Sequence, residues 1–184
     1  MKAILIIILS VFSLVCNYST AQNSKQNTGL NPPEVKNNVE HEVSTIILIR
    51  HAEKEDATTK DPSLSEKGKE RAEALVQLFK DVSIDAFYAT PYKRTTETIT
   101  PIAKAKGKEV LSYNPSDKNS IAEMMQSGKG NKIMIAGHSN TLPPMVNALI
   151  GKNEFTTMEE NEYGKIWIVV FKGNALIDCS VLNY

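Results

Sequence analysis

Only two cysteines occur in the 184 residues, Cys16 and Cys179, and the first falls in a segment we expect to be removed. A lone remaining cysteine cannot form an internal disulfide, so the fold must rest on its core even in an oxidising compartment. An excess of charge of one sign is also missing. Lysine plus arginine and aspartate plus glutamate each number 21, which gives no reason to expect nucleic acid or an anionic membrane surface as a partner. Any attraction for an anion has to be local. A long apolar run is missing as well. The one near the start, residues 3–15, is shorter than the ~20 residues needed to span a bilayer.

That short run follows Met1-Lys2 and precedes Ser19-Thr20-Ala21, the order of a secretory signal peptide with small residues before its cleavage site. We expect residues 1–21 to be a signal peptide cleaved after Ala21, with a periplasmic or secreted destination and no membrane span afterwards. Cys16 admits a lipid-anchor reading, but Val15 before it is too large for that signal, so lipidation is the minority alternative. Residues 22–42 carry little apolar content and read as a flexible linker. His41, between Glu40 and Glu42, is expected to be a solvated residue without a role. Residues 43–184 fall within the size of one domain that can bury its own core.

From Val43 the pattern alternates. Residues 44–49 form a continuous β-branched run of the kind buried on both faces of a parallel sheet. Ser65 can cap a helix whose Ala72, Leu75, Val76 and Phe79 recur at helical spacing. A strand over 84–89 follows, then a helix from Pro91 to about Lys106, with Pro101 as a kink and Gly107 as its stop. Further strands are expected over 109–113 and 132–136, with a brief helix over 121–126 between them. Pro143 and Pro144 suit the first turn of a helix that Gly151 ends. Residues 165–171 and 175–182 flank Lys172-Gly173-Asn174 as an antiparallel hairpin. The expected fold is α/β: a three-layer sandwich with a mostly parallel doubly wound sheet, helices on both faces and a C-terminal antiparallel strand pair.

In such sheets ligands bind at the carboxyl ends of the strands. Arg50 and His51 follow one strand, Arg94 lies in the turn-to-helix segment after a second, and His138 follows a third. Two arginines and two histidines can surround one phosphoryl group. Arginine stays charged and offers phosphate a planar fork of donors. A neighbouring pair of guanidinium groups would lower the pKa of His51 and keep its attacking nitrogen unprotonated. Attack on phosphorus would then give a phosphohistidine, hydrolysed by water. His138 would donate hydrogen bonds to the phosphoryl oxygens, and the helix after it is expected to add backbone N–H groups. Ser139 and Asn140 are candidates for substrate contact, although capping that helix explains them equally well.

A single strand-terminal histidine is most often structural, so the reading rests on all four residues together. Lys54 and Lys93 are expected to be solvated, and Met124, Met125, Trp167 and Cys179 to be packing. A metal site built from His51, His138, Glu53 and Asp117 is disfavoured because Arg50 and Arg94 would repel a divalent cation. No metal or cofactor is expected. Ser127-Gly128-Lys129-Gly130 lacks the spacing of a phosphate loop and reads as a helix-to-strand turn.

These motifs resemble the histidine phosphatase superfamily, also called phosphoglycerate mutase-like, in order, spacing and strand context. Arg50-His51 in Arg-His-Ala-Glu-Lys is similar to the pair whose histidine becomes phosphorylated. Arg94 matches the second arginine and His138, in Gly-His-Ser-Asn-Thr, the second histidine. Leu64 to Ala72 is similar to the family's first helix motif. The resemblance implies a metal-independent phosphatase like the small members that act on phosphohistidine or general phosphomonoesters. Mutase activity is not expected, because mutases carry insertions. A general acid would come from the loop after the third strand, where Asp117 is the first candidate, with Glu123 and Glu53 as alternatives. The competing readings are a phosphate-binding module without turnover and a specialised envelope sugar-phosphate phosphatase. The far end of the pocket, and so the natural substrate, depends on residues 55–63, 114–120 and 153–163. Oligomeric state is left open.

Overall fold

The computed structural model describes residues 42–56 and 59–184. The expected signal peptide, Cys16, His41 and nearly all of the expected linker lie outside the described residues. The chain order is β1 (Val43–Arg50), α1 (Glu66–Leu78), β2 (Ala86–Ala89), α2 (Lys93–Ala105), β3 (Val110–Ser112), α3 (Lys118–Ser127), β4 (Lys132–Gly137), α4 (Leu142–Ile150), β5 (Lys165–Lys172) and β6 (Ala175–Asn183).

Six strands form one mixed sheet in the order β3-β2-β4-β1-β5-β6. β1 pairs parallel with β4, and β2 pairs parallel with both β4 and β3. β5 is antiparallel to β1 and to β6, so β5 alone runs against the other five. The hairpin joining β5 to β6 turns at Gly173 and Asn174, with Lys172 opposite Ala175 and Gly173 at φ 58°.

Alternate residues of the buried strands face opposite helix layers, as period two requires. Ile47, Ile49, Phe87, Ala89, Met134 and Ala136 pack with Leu75 and Phe79 of the α1 region and with Ile99 and Ile102 of α2. Ile46, Leu48, Ile133, Ile135 and Trp167 pack on the other side with Met124, Met145 and Val146 from α3 and α4. The three-layer α/β expectation holds. Met124 and Trp167 are core residues, and Cys179 is half-buried against the second cluster.

Local chemistry sets the helix ends. Ser65 Oγ accepts from Gly68 N at 3.2 Å, as expected of an N-cap. Tyr92 supplies no cap to α2; Asp61 reaches across instead, its Oδ1 accepting from Lys93 N at 2.9 Å. α3 starts earlier than expected because Asp117 accepts from Asn119 N at 2.9 Å and so begins the helix at Lys118. Pro101 lies inside α2, which continues through it to Ala105.

Register positions the chemistry. Arg50 lies opposite Gly137, and Ala89 opposite Ala136, so the chain leaves β1, β2 and β4 at one level. The residues that follow, His51, Thr90 and His138, therefore meet at one rim.

α1 approaches the turn after β1 so closely that a Cβ on Gly68 would lie 2.0 Å from Glu53 O. Neither backbone can yield without moving the turn that carries His51. Gly68→Ala should cost about 1–3 kcal/mol, the usual penalty for overpacking. Chemical denaturation measures it, and an unchanged midpoint would show that the close approach is not a constraint.

Candidate active site

The turn after β1 is tied down at successive atoms. His51 N donates to Gly137 O at 2.9 Å, Ala52 N donates to Thr98 Oγ1 at 2.9 Å, and Ser65 N donates to Glu53 O at 2.9 Å. The Glu53 carboxylate receives two hydrogen bonds from Arg71, both 2.8 Å, and lies 3.4 Å from Lys67 Nζ. These donors hold Glu53 below the ordinary carboxylate range against the opposing effect of its burial. Glu53 is therefore a fastener of the turn, with its oxygens already engaged.

His51 Nδ1 lies 2.8 Å from Ala52 O. A carbonyl can only accept, so Nδ1 carries the proton and Nε2 keeps its lone pair. His51 is 5% exposed, and its pKa is lowered from 6.5 to about 4. Burial is the leading cause; the Ala52 carbonyl opposes it, and the charges of His138, Arg50 and Arg94 add to the lowering. The expected direction holds, but desolvation outranks the two arginines.

His138 stands edge-on to His51, ring centroids 5.4 Å apart. Its Nε2 lies 2.8 Å from Thr90 Oγ1, which lies 3.0 Å from Thr95 Oγ1. Thr95 has one hydroxyl proton and directs it at the carbonyls of Thr90 and Tyr92. Thr90 must then donate to Thr95, and so it accepts from His138 Nε2–H. Burial, followed by Arg94 and Arg50, lowers the His138 pKa to about 4 as well. His138 is thus neutral in the free site, and an arriving phosphate dianion is what would draw a second proton onto its ring.

The two arginines differ. Arg94 keeps its guanidinium beside Asp61 at 3.7 Å and over the Tyr92 ring at 4.5 Å. Arg50 is buried, with Nη1 donating to Glu159 O and Glu162 O at 2.6 and 2.7 Å and Nη2 to Glu160 O at 3.0 Å. Tyr163 stacks on it at 4.4 Å. Arg50 therefore spends three donors on the 159–162 loop, leaving Nε, which has no partner, and one N–H of Nη2.

A cavity of about 440 Å³ opens over these groups, lined by Arg50, His51, Arg94, His138, Ser139 and Asn140 among others. Lys54, Lys60, Tyr92 and Glu160 also line it. Lys54 is exposed, as expected, and also pairs with Glu160 at 3.2 Å. The other candidates fall elsewhere. Asp117 caps α3 and lines an adjoining hollow with Tyr92 and Ser116, and the exposed Glu123 does not line the cavity over His51. The expectation of backbone donors from α4 is corrected: Thr141 N and Leu142 N both donate to His138 O, and Pro143 and Pro144 have no N–H. Thr141, rather than Ser139 or Asn140, is the N-cap residue.

Sequence reasoning missed Thr90, Thr95, Thr98, Tyr163 and Glu160. Thr95 and Thr98 sit one turn apart on the face of α2 beside Arg94, a spacing that could have been noticed. Among the described residues, no three His, Cys, Asp or Glu side chains cluster as metal ligands would, and no helix is long and apolar enough to cross a membrane.

Residues 46–114 match the sequence profile of the Histidine phosphatase superfamily (branch 1). Over 72 residues the chain is 42% identical to Phosphoserine phosphatase 1 of Hydrogenobacter thermophilus, a match covering 36% of this chain and 34% of that relative. The chain thus spans about a third of that relative's length. The putative phosphohistidine phosphatase SixA from Agrobacterium tumefaciens superposes with a TM-score of 0.56 at 19% identity, covering 74% of this chain and 97% of that one. Phosphoglycerate mutase from Bacillus anthracis gives 0.59 at 14% identity, covering 79% and 94%. At these identities the solved structures speak for the fold alone. The resemblance of the Arg-His and second-arginine motifs to the histidine phosphatase superfamily is thereby shown.

Both imidazoles should be neutral at pH 6. Histidine ring 1H–15N spectra should place their midpoints near 4, and a midpoint near 6.5 for His51 would contradict its burial. The linked stability follows in sign: below pH 6.5 the unfolded chain binds more protons than the native one. Native stability should therefore fall as pH drops from 6.5 toward about 4.

Proposed function

We propose that this chain is a phosphatase that hydrolyses a small phosphomonoester through a phosphohistidine on His51, without a metal ion. The observation that carries the proposal is the state of His51. It is neutral, its Nδ1 proton is committed to Ala52 O, and its free Nε2 belongs to a ring that lines a cavity beside two guanidinium groups. A phosphate-binding module would need the cations but not a nucleophile prepared in this way.

In the proposed reaction the phosphoryl group lies against Arg94, the remaining donors of Arg50, and His138. The Nε2 lone pair attacks phosphorus in line with the ester oxygen. As the N–P bond forms, the P–O ester bond breaks and its electron pair leaves on that oxygen, which takes a proton from water in the open cavity. A second water then attacks the phosphohistidine and gives its proton to the hydroxide left by the first step, the N–P bond breaks with its pair returning to Nε2, and inorganic phosphate departs. The gain in charge at the phosphoryl oxygens favours protonated His138, which donates to them. Fixed positive charge favours an anion here over a divalent cation, which supports metal-independent chemistry.

The substrate classes that the comparisons suggest are phosphoserine and phosphohistidine, from the names of the relatives in sequence and in fold. An exported, periplasmic or secreted location is part of the proposal, supported by the signal-peptide pattern of residues 1–21.

Two measurements test the mechanism. A chromogenic aryl phosphate with chelator present should be hydrolysed by the chain, and His51→Ala should lose at least ~1000-fold in kcat/KM, as expected when a covalent nucleophile is removed. Rapid quenching with 32P-labelled substrate should trap acid-labile, base-stable label on the native chain and none on the variant. Full activity of His51→Ala, or activity abolished by chelator, would overturn the mechanism. Separately, Thr90→Val should lower kcat by about tenfold while leaving KM within about twofold, because it frees the His138 ring without removing a phosphate contact; an unchanged kcat would show that Thr90 does not position His138.

A further inference from the structure

Resting on the phosphatase reading, one feature of the cavity bears on what lies beyond the phosphate. Four cationic side chains line it, Arg50, Lys54, Lys60 and Arg94, together with one carboxylate, Glu160. Glu160 is not there by the drift of a loose loop. Its backbone carbonyl is fastened to Arg50 Nη2 at 3.0 Å, and those of Glu159 and Glu162 are fastened to Nη1. From this anchored backbone its side chain returns over the cavity, 3.2 Å from Lys54 Nζ and 3.6 Å from Arg50 Nη2. The side chain is 74% exposed, so no packing requires it to be acidic.

A carboxylate beside phosphate-binding cations is a cost to phosphate binding by itself. The incoming dianion competes with Glu160 for Arg50 and Lys54 and is repelled by it. A substrate carrying a second anion near the ester would add to the repulsion, and one with a neutral tail would leave it uncompensated. A substrate with an ammonium group a few bonds from the ester oxygen turns the cost into a gain, because the ammonium can stand between its own phosphate and Glu160. Lys54 holds Glu160 ionised in the free site, so the negative charge is ready before substrate arrives.

We infer that Glu160 is a specificity-determining residue that selects phosphomonoesters bearing an ammonium group close to the ester, the phosphates of amino alcohols and their derivatives. Discrimination comes from charge sign at a fixed place on the rim rather than from shape.

O-phosphoethanolamine and n-propyl phosphate form the test pair, equal in length and differing in an ammonium against a methyl group. In the full chain kcat/KM should favour O-phosphoethanolamine. Glu160→Gln should lower that preference roughly three- to fivefold, the effect of a solvent-exposed charge pair, by slowing the ammonium ester and speeding the neutral one. Glu160→Lys should reverse the preference. A preference ratio unchanged in both variants, or a native preference for n-propyl phosphate, would overturn the inference. Dissociation constants of the same two esters, measured on chains carrying His51→Ala with and without Glu160→Gln, read the discrimination without turnover. Charge-dependent binding with no hydrolysis by the native chain would fail the catalytic reading and support the role of Glu160. Hydrolysis that depends on His51 but ignores the ammonium would do the reverse.

Discussion

The short turn after β1 is the constraint on which the site depends. A histidine nucleophile needs one ring nitrogen protonated and turned away and the other bare, and the Ala52 carbonyl imposes both through a single 2.8 Å contact. That carbonyl is useful only if the turn cannot rotate. Thr98 of α2 holds the Ala52 amide, β4 holds the His51 amide, and α1 presses Gly68 under the Glu53 carbonyl while Arg71 grips the Glu53 carboxylate. Two helices of one face and a neighbouring strand thus converge on three residues, His51, Ala52 and Glu53. The tautomer of His51 is set by a backbone carbonyl that these contacts hold in place.

Placing two imidazoles side by side under two guanidinium groups works because the rings are neutral. Were either charged, it would face Arg50, Arg94 and the other ring in a region with little water to screen them. Burial enforces neutrality, and the arginines reinforce it. A phosphate dianion reverses this balance locally, since it offsets the arginine charge and makes protonated His138 favourable. The empty site therefore stores its positive potential on the arginines and lysines, and histidine protonation is left to respond to the ligand.

Much of this was readable from residue order. A β-branched run ending in Arg50-His51 and another ending in Gly137-His138 fix two strand ends, and parallel pairing of neighbours puts such ends at one rim. Ser65, Gly151 and the Gly173-Asn174 turn carry their structural meaning locally, so they were read correctly. The Thr90–Thr95 relay was not read, because a buried threonine looks like any β-branched filler until its hydroxyl partner is known. The capping role of Asp117 has a local reason: an aspartate just ahead of a helix serves the helix first. The grip of Arg50 on residues 159–162 spans more than a hundred positions and uses backbone carbonyls, which carry no residue-type signal at all.

That last contact gives Arg50, the arginine next to His51, a structural task as well as a charge. An arginine with all five donors open would bind phosphate more strongly, but the 159–162 segment would then lose three of its hydrogen bonds. By giving three donors to carbonyls, Arg50 joins the 159–162 loop to the end of β1 and fixes that part of the cavity's rim. Its charge is undiminished by these bonds, since carbonyls are dipoles, so it still contributes to the field at the phosphate. One buried guanidinium thus couples the His51 end of the cavity to the 159–162 loop, and on the proposed function substitution there would disturb substrate choice and catalysis together rather than either alone.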